Sequence, residues 1–288
     1  MRRLWGSPEV VLLFCLAAAC AVAPALTEPG PARAPLLKSP VGLDLGAIFS
    51  PPSSEHWLGT DSFGRDLLSR VLAGGRTTLG VAALGAFLAV LIGSFLGLAA
   101  GLAGGWADLW IGRLMEAANC FPTLIVALAL AASGRLRGAL ALALVVGLTR
   151  WVDVAWLARA EAARWRSTSR IETARASGAS TLRLLGRHLL PTAFPLLAMG
   201  GALVAAEAVV VEAGAGIVGF GIEPAHPSWG SLLLEARLSV DQAWWAALFP
   251  GLAVFTAVAG FLALVERAGG HTAQVGRAAP GSAARGGR

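Results

Sequence analysis

The sequence predicts an all-α polytopic membrane protein with six transmembrane helices and one long, arginine-rich cytoplasmic loop. Hydrophobic residues make up 56% of the 288-residue chain and charged residues only 14%. Soluble domains are about a quarter charged, so this chain lacks the polar coating that would wet a core's surface. The charges it has fall between long apolar runs and not along one stripe. That placement, despite a net charge of +6, argues against a nucleic-acid partner and for membrane lipid as the solvent.

A spanning helix needs about 20 apolar residues. Segments near 10–26, 77–102, 117–133, 138–157, 195–213 and 244–265 meet or approach that length. The first follows Arg2 and Arg3 and ends in alanines, as a signal peptide does. Five later spans need an orientation, so it is read as a retained anchor. Cys20 is not read as a lipidation site, because Ala17 stands where leucine is usual.

Arginine placement orients the bundle. Arg159, Arg164, Arg166, Arg170, Arg175, Arg183 and Arg187 lie between the fourth and fifth spans, which makes that segment cytoplasmic. Six spans then put both termini in the cytoplasm. Trp151, Trp156, Trp244 and Trp245 sit near span ends, where indole rings favour headgroups. The expected organisation is an anchor helix and external loop over 1–76, a transmembrane domain over 77–267, and a disordered cytoplasmic tail over 268–288.

Several chemistries are excluded. The single lysine, Lys38, follows Leu37, so there is no GxxxxGK[ST] phosphate-binding loop. Cys15, Cys20 and Cys120 lie in or beside apolar runs with no metal-ligand spacing, and read as buried small hydrophobes. No catalytic or metal residues are assigned. Gly93, Gly97 and Gly101 give the second span one face without side chains. That face suits close helix packing, with a dimer seam as the alternative.

Between the first two spans, Leu58-Gly59-Thr60-Asp61-Ser62-Phe63-Gly64-Arg65-Asp66-Leu67-Leu68-Ser69-Arg70 reads as a loop entering a short helix. Asp61 with Arg65, and Asp66 with Arg70, are acid-then-base pairs four apart, read as solvated ion pairs. On the cytoplasmic side about forty residues separate Leu157 from Pro195, more than a helix hairpin requires. Residues 169–177 are helix-forming, Gly178 interrupts, and a second short helix is predicted from Thr181 until Pro191. Such an element either lies on anionic lipid or docks a soluble partner.

Two acids fall inside the fifth span. A carboxylate at the bilayer centre costs about 2.5–3.5 kcal/mol on insertion scales, so Glu207 must face protein or water. It either bonds between helices or lines a passage as a negative site for an amine-bearing cargo, with Asp153 as a second station. Glu212, five residues on, is about 140° around the helix and belongs to another face.

The long loop resembles a known family. Glu172-Thr173-Ala174, then Gly178, then Leu190-Pro191 is similar to the EAA coupling loop of bacterial ABC-importer permeases. Glu161-Ala162-Ala163 matches the first letters better, but Ser167 and Ser180 stand where the glycine and proline belong. The departures are Thr173 and His188. Arg187-His188-Leu189-Leu190-Pro191 resembles the form found in the dipeptide/oligopeptide/nickel branch, second permease type. The Gly59, Thr60, Asp61, Gly64, Arg65, Asp66 stretch resembles that branch's LGTDxxGRDxxSR signature. Glu212, Gly219, Gly221, Trp229 and Gly230 resemble its E…GLG…PSWG segment, with Gly216-Ile217-Val218 replacing the usual Ser-Phe-Leu.

The resemblance covers about residues 50–267. It implies a permease subunit in a prokaryotic inner membrane, forming the pathway of an ATP-driven, binding-protein-dependent importer. A second homologous permease, one or two ATPase subunits and an external solute-binding protein are the implied partners. ATP and Mg sit on the ATPase, and no cofactor on this chain. Peptides, nickel chelates, opines and glycosides all fit permeases of this group. A stand-alone secondary transporter or channel is the alternative, though no inverted repeat is evident.

Overall fold

In the computed structural model, residues 8–27, 38–134, 138–166, 168, 186, 189–219 and 227–278 are described. Eight α-helices occur among them. They are α1 (Pro8–Thr27), α2 (Leu67–Ala103), α3 (Gly105–Asn119), α4 (Thr123–Ala132), α5 (Ala139–Arg166), α6 (Leu190–Ile217), α7 (Trp229–Ala236) and α8 (Trp244–Ala278). α2, α5, α6 and α8 are each long and apolar enough to cross a membrane. α3 and α4 make one broken span, bent by 64°. α1 is apolar but shorter over its described side chains, Pro8–Ala23. The six expected spans thus resolve into four long helices, one bent pair and one short helix.

The bend has a local cause. Pro122 caps α4; it has no N–H to give to a continuous helix, and its ring excludes the preceding turn. The third span is therefore not a straight helix over 117–133. Its first limb starts at Gly105, straight after α2, where Gly104 and Gly105 turn the chain with φ of 66° and 57°.

α2 begins ten residues before the expected span. Asp66 caps it by accepting from Ser69 N–H at 3.0 Å. The stretch around Asp61 therefore enters a 37-residue helix and not a short one. At about 1.5 Å per residue the helix is ~55 Å long, and its first turns stand beyond a hydrocarbon core of ~30 Å. At the other end of the bundle α5 runs to Arg166, so Arg159, Arg164 and Arg166 extend a span and do not begin the loop. α6 starts at Leu190, with Pro191 in its first turn, where the missing N–H costs nothing. Pro191 opens the span instead of closing the segment before it. α8 continues through Ala278, so the chain after Gly269 is helical to that point and not an unstructured tail.

The glycine face of α2 decides the packing. A Cβ placed on Gly93 would lie 2.8 Å from Val154 Cβ, on Gly97 2.8 Å from Ala158 Cβ, and on Gly101 2.7 Å from Ala162 Cβ. Each distance is too short for a real contact, so the two backbones touch where no side chain intervenes. The face is used within the chain, between α2 and α5. Gly85 meets Val146, and in return Gly147 of α5 meets Leu88. Gly201 brings α6 against Val90, and Gly260 brings α8 against Leu13 of α1.

Away from this seam α2 presents Phe87, Leu91 and Phe95 outward, an apolar exterior suited to lipid. Trp156 and Trp244 are exposed, whereas Trp151 and Trp245 are packed inside the protein and do not serve as headgroup anchors. Cys15, Cys20 and Cys120 are all free thiols; only Cys20 is buried, so the other two are not core hydrophobes.

The seam makes a sharp prediction. Gly97→Val should destabilise the folded chain by about 1–3 kcal/mol through overpacking and lower its melting temperature in detergent. Gly80→Ala, where a Cβ meets nothing within 4 Å, should leave melting unchanged or slightly raised.

Candidate functional site

Two polar clusters join the loops at the α2 N-terminal end, and a third lies deeper between α5 and α6. The first grows from the Leu58–Arg70 stretch. Gly59 and Gly64 adopt φ of 78° and 70°, and a side chain on Gly64 would run into the Asp44 backbone. These turns fold Asp61 back on its own chain. Its Oδ1 accepts from Phe63 N–H at 2.8 Å and Arg65 N–H at 3.0 Å. Its Oδ2 accepts from Arg65 Nε at 2.7 Å and Arg70 Nη1 at 2.5 Å.

Glu235 of α7 closes the network. It accepts from Arg65 Nη2 at 2.6 Å, Arg70 Nη1 at 2.7 Å and Arg70 Nη2 at 3.0 Å. Arg70 is only 2% exposed, so its bond to Asp61 is buried and those to Glu235 partly so, unlike the solvated pairs the spacing suggested. Nor does Asp66 pair with Arg70. It caps α2, bonds Ser69 Oγ at 2.8 Å, and meets His56 Nδ1 at 3.0 Å. Thr60 ties the loop to α8, its carbonyl accepting from Trp245 Nε1 at 3.1 Å. Sequence spacing offered no sign of Glu235, which lies 165 residues from Arg70.

The second cluster surrounds Glu212, which is 1% exposed on α6. Thr78 Oγ1 donates to Glu212 Oε2 at 2.8 Å and accepts from the Trp229 N–H at 3.1 Å. The Trp229 indole donates to the Val71 carbonyl at 2.9 Å. A Cβ on Gly230 would lie 2.8 Å from the Glu212 carbonyl oxygen, and one on Gly216 2.6 Å from the Gly230 backbone. Ser228 and Ser231 form a reciprocal cap on α7. The helix is therefore set down on α2 and α6 by Trp229 and Gly230. Gly219 makes a turn with φ of 87° after α6; Gly221 lies outside the described residues.

The third cluster holds the acids singled out inside the spans. Glu207 of α6 is ion-paired with Arg150 Nη2 of α5. Arg150 Nη1 lies 3.5 Å from Asp153 Oδ2. Arg150 was not expected; it lies three residues before Asp153, and only the α5–α6 packing brings it to Glu207. A further pair, Asp108 with Arg159 Nε at 2.5 Å and Nη2 at 3.0 Å, ties α3 to α5. Of the coupling-loop residues, Leu190 and Pro191 open α6, while Glu172, Ala174 and Gly178 lie outside the described residues.

Comparison with known proteins fixes the family. Residues 89–268 match the model of the binding-protein-dependent transport system inner membrane component. The chain belongs to that family. A Brucella suis protein whose name places it in a peptide transport system is 34% identical over 88% of this chain and 82% of its own length. The dipeptide transport system permease protein of Alkalihalophilus pseudofirmus is 32% identical over 73% of this chain and 69% of its own. The glutathione transport system permease protein of Pectobacterium atrosepticum is 34% identical over the same shares. In fold, the permease is similar to a chain of the MetNI methionine ABC transporter in an inward-facing conformation, with TM-score 0.54 and 18% identity. That likeness covers 70% of this chain and 96% of the other. The protein is thus a multi-pass inner-membrane permease subunit of an ABC importer, a transporter and not an enzyme.

Breaking the first cluster should be costly. Arg70→Met leaves the buried Asp61 to Arg65 alone and takes two bonds from Glu235, and about 1–3 kcal/mol of stability should be lost. Glu235→Gln should cost less, because that side chain is 30% exposed. Thermal melting of the purified permease in detergent ranks the two.

Proposed function

We propose that this permease carries short peptides inward as part of an ATP-driven complex. The observation carrying this reading is the similarity over 88% of the chain to a protein named for a peptide transport system, with dipeptide and glutathione permeases among the other relatives. A second homologous permease shares the pathway, one or two ATPase subunits bind ATP and Mg, and an external solute-binding protein delivers the cargo. No cofactor resides on this chain. Both termini are cytoplasmic, which puts the Asp61–Glu235 network outside, on the face that meets the binding protein. Glu172, Ala174 and Gly178 belong to the segment that docks into the ATPase, and Leu190 with Pro191 joins it to α6.

The deciding experiment is uptake into proteoliposomes holding the whole complex. Labelled dipeptide should accumulate only with ATP inside and binding protein outside. Uptake that needs neither would make the chain a stand-alone transporter and sink the proposal. Orientation is tested by thiol labelling of intact cells after Cys15, Cys20 and Cys120 are replaced by Ala. Ser54→Cys should label from outside and Ser167→Cys should not. Gly178→Val should insert and assemble yet bring ATP-driven uptake to background; full uptake would remove Gly178 from the coupling role.

A further inference from the structure

The charged group between α5 and α6 has properties that packing alone does not call for. Arg150 lies eleven residues from the start of α5, and Glu207 ten residues from the end of α6. At about 1.5 Å per residue both sit ~15 Å from that end of the bundle, near the middle of a ~30 Å hydrocarbon core. At this depth the side chains of Arg150, Glu207 and Asp153 are still 26%, 32% and 36% exposed. Three ionised groups that remain open at mid-depth cannot face lipid. They face water or another protein.

The bonding is also incomplete. One cation stands between two anions, leaving the group one negative charge in excess. Asp153 is held only at 3.5 Å. Glu207 takes Arg150 through Nη2 alone, and the neighbouring Nε is buried with no partner among the described residues, a state it shares with Arg70 Nε and Glu212 Oε1. Nε and Nη2 form one edge of the guanidinium, the edge that a carboxylate grips with both oxygens. Glu207 uses half of it.

We infer that Arg150, Asp153 and Glu207 form a subsite in the translocation pathway for the ammonium end of a free peptide. This rests on the peptide-import reading above. The ammonium goes between Asp153 and Glu207, while Arg150 keeps its pair to Glu207 across α5 and α6. Two cations then face two anions, and the excess negative charge of the empty group is neutralised during passage. A substrate lacking a free amine leaves that charge unmatched.

The test uses the whole complex with Cys15, Cys20 and Cys120 replaced by Ala. Leu203→Cys, an exposed position one turn from Glu207, is labelled with a cationic, membrane-impermeant thiol reagent. Triglycine should halve the labelling rate at a concentration about tenfold below that needed with N-acetyl-triglycine, the effect of one charge-assisted bond. N-acetyl-triglycine should protect far less, and Asp153→Asn should abolish the difference between the two peptides. Glu207→Gln repeats the measurement should Asp153→Asn fail to assemble by size-exclusion chromatography. No labelling of Leu203→Cys would mean that lipid or the second permease seals this face, and would overturn the subsite. Equal protection by both peptides would do the same. ATP-driven uptake of triglycine, measured on the same preparation, keeps the two readings apart. Its absence overturns peptide import, whereas uptake without end-dependent protection overturns the subsite alone.

Discussion

Everything in this permease hangs on how closely the α2 and α5 backbones approach. Hydrocarbon gives apolar side chains no reason to leave it, so helices associate in a bilayer through shape and polar contacts. Gly85, Gly93, Gly97 and Gly101 on α2, with Gly147, Ala155, Ala158 and Ala162 on α5, remove the side chains that would hold the helices apart. Larger residues there would part the two axes. α6 depends on the same seam, because Gly200 and Gly201 rest on Val154 of α5 and Val90 of α2. The distance from Arg150 to Glu207 is set by that arrangement, as is the distance from Thr78 to Glu212.

Polar groups then divide according to what surrounds them. At the α2 N-terminal end they are bonded many times over: Asp61 and Glu235 grip the same two arginines, and Asp66 caps a helix while holding His56. These bonds join residues 38–66 to α2, α7 and α8. Between α5 and α6 the bonding is spare and the groups stay partly open.

The sequence by itself determined the solvent, the class and the family. Apolar content, arginine placement and the absence of a phosphate-binding loop are sums along the chain that need no contacts. The family signatures were legible because their residues lie close together in sequence, and the turns and cap they encode are local: Gly59 and Gly64 at positive φ, Asp66 at the head of α2, the Ser228–Ser231 cap on α7. Tertiary structure alone decided which partners those residues take. Asp66 turned from Arg70 to His56, Arg70 turned to Glu235, and Glu207 found Arg150, because helix periodicity fixes only neighbours three or four residues away. Long-range packing chooses the rest. It also decided that Trp151 and Trp245 go inward: both rings are packed in the core, and the Trp245 indole N–H finds the Thr60 carbonyl, a partner 185 residues away.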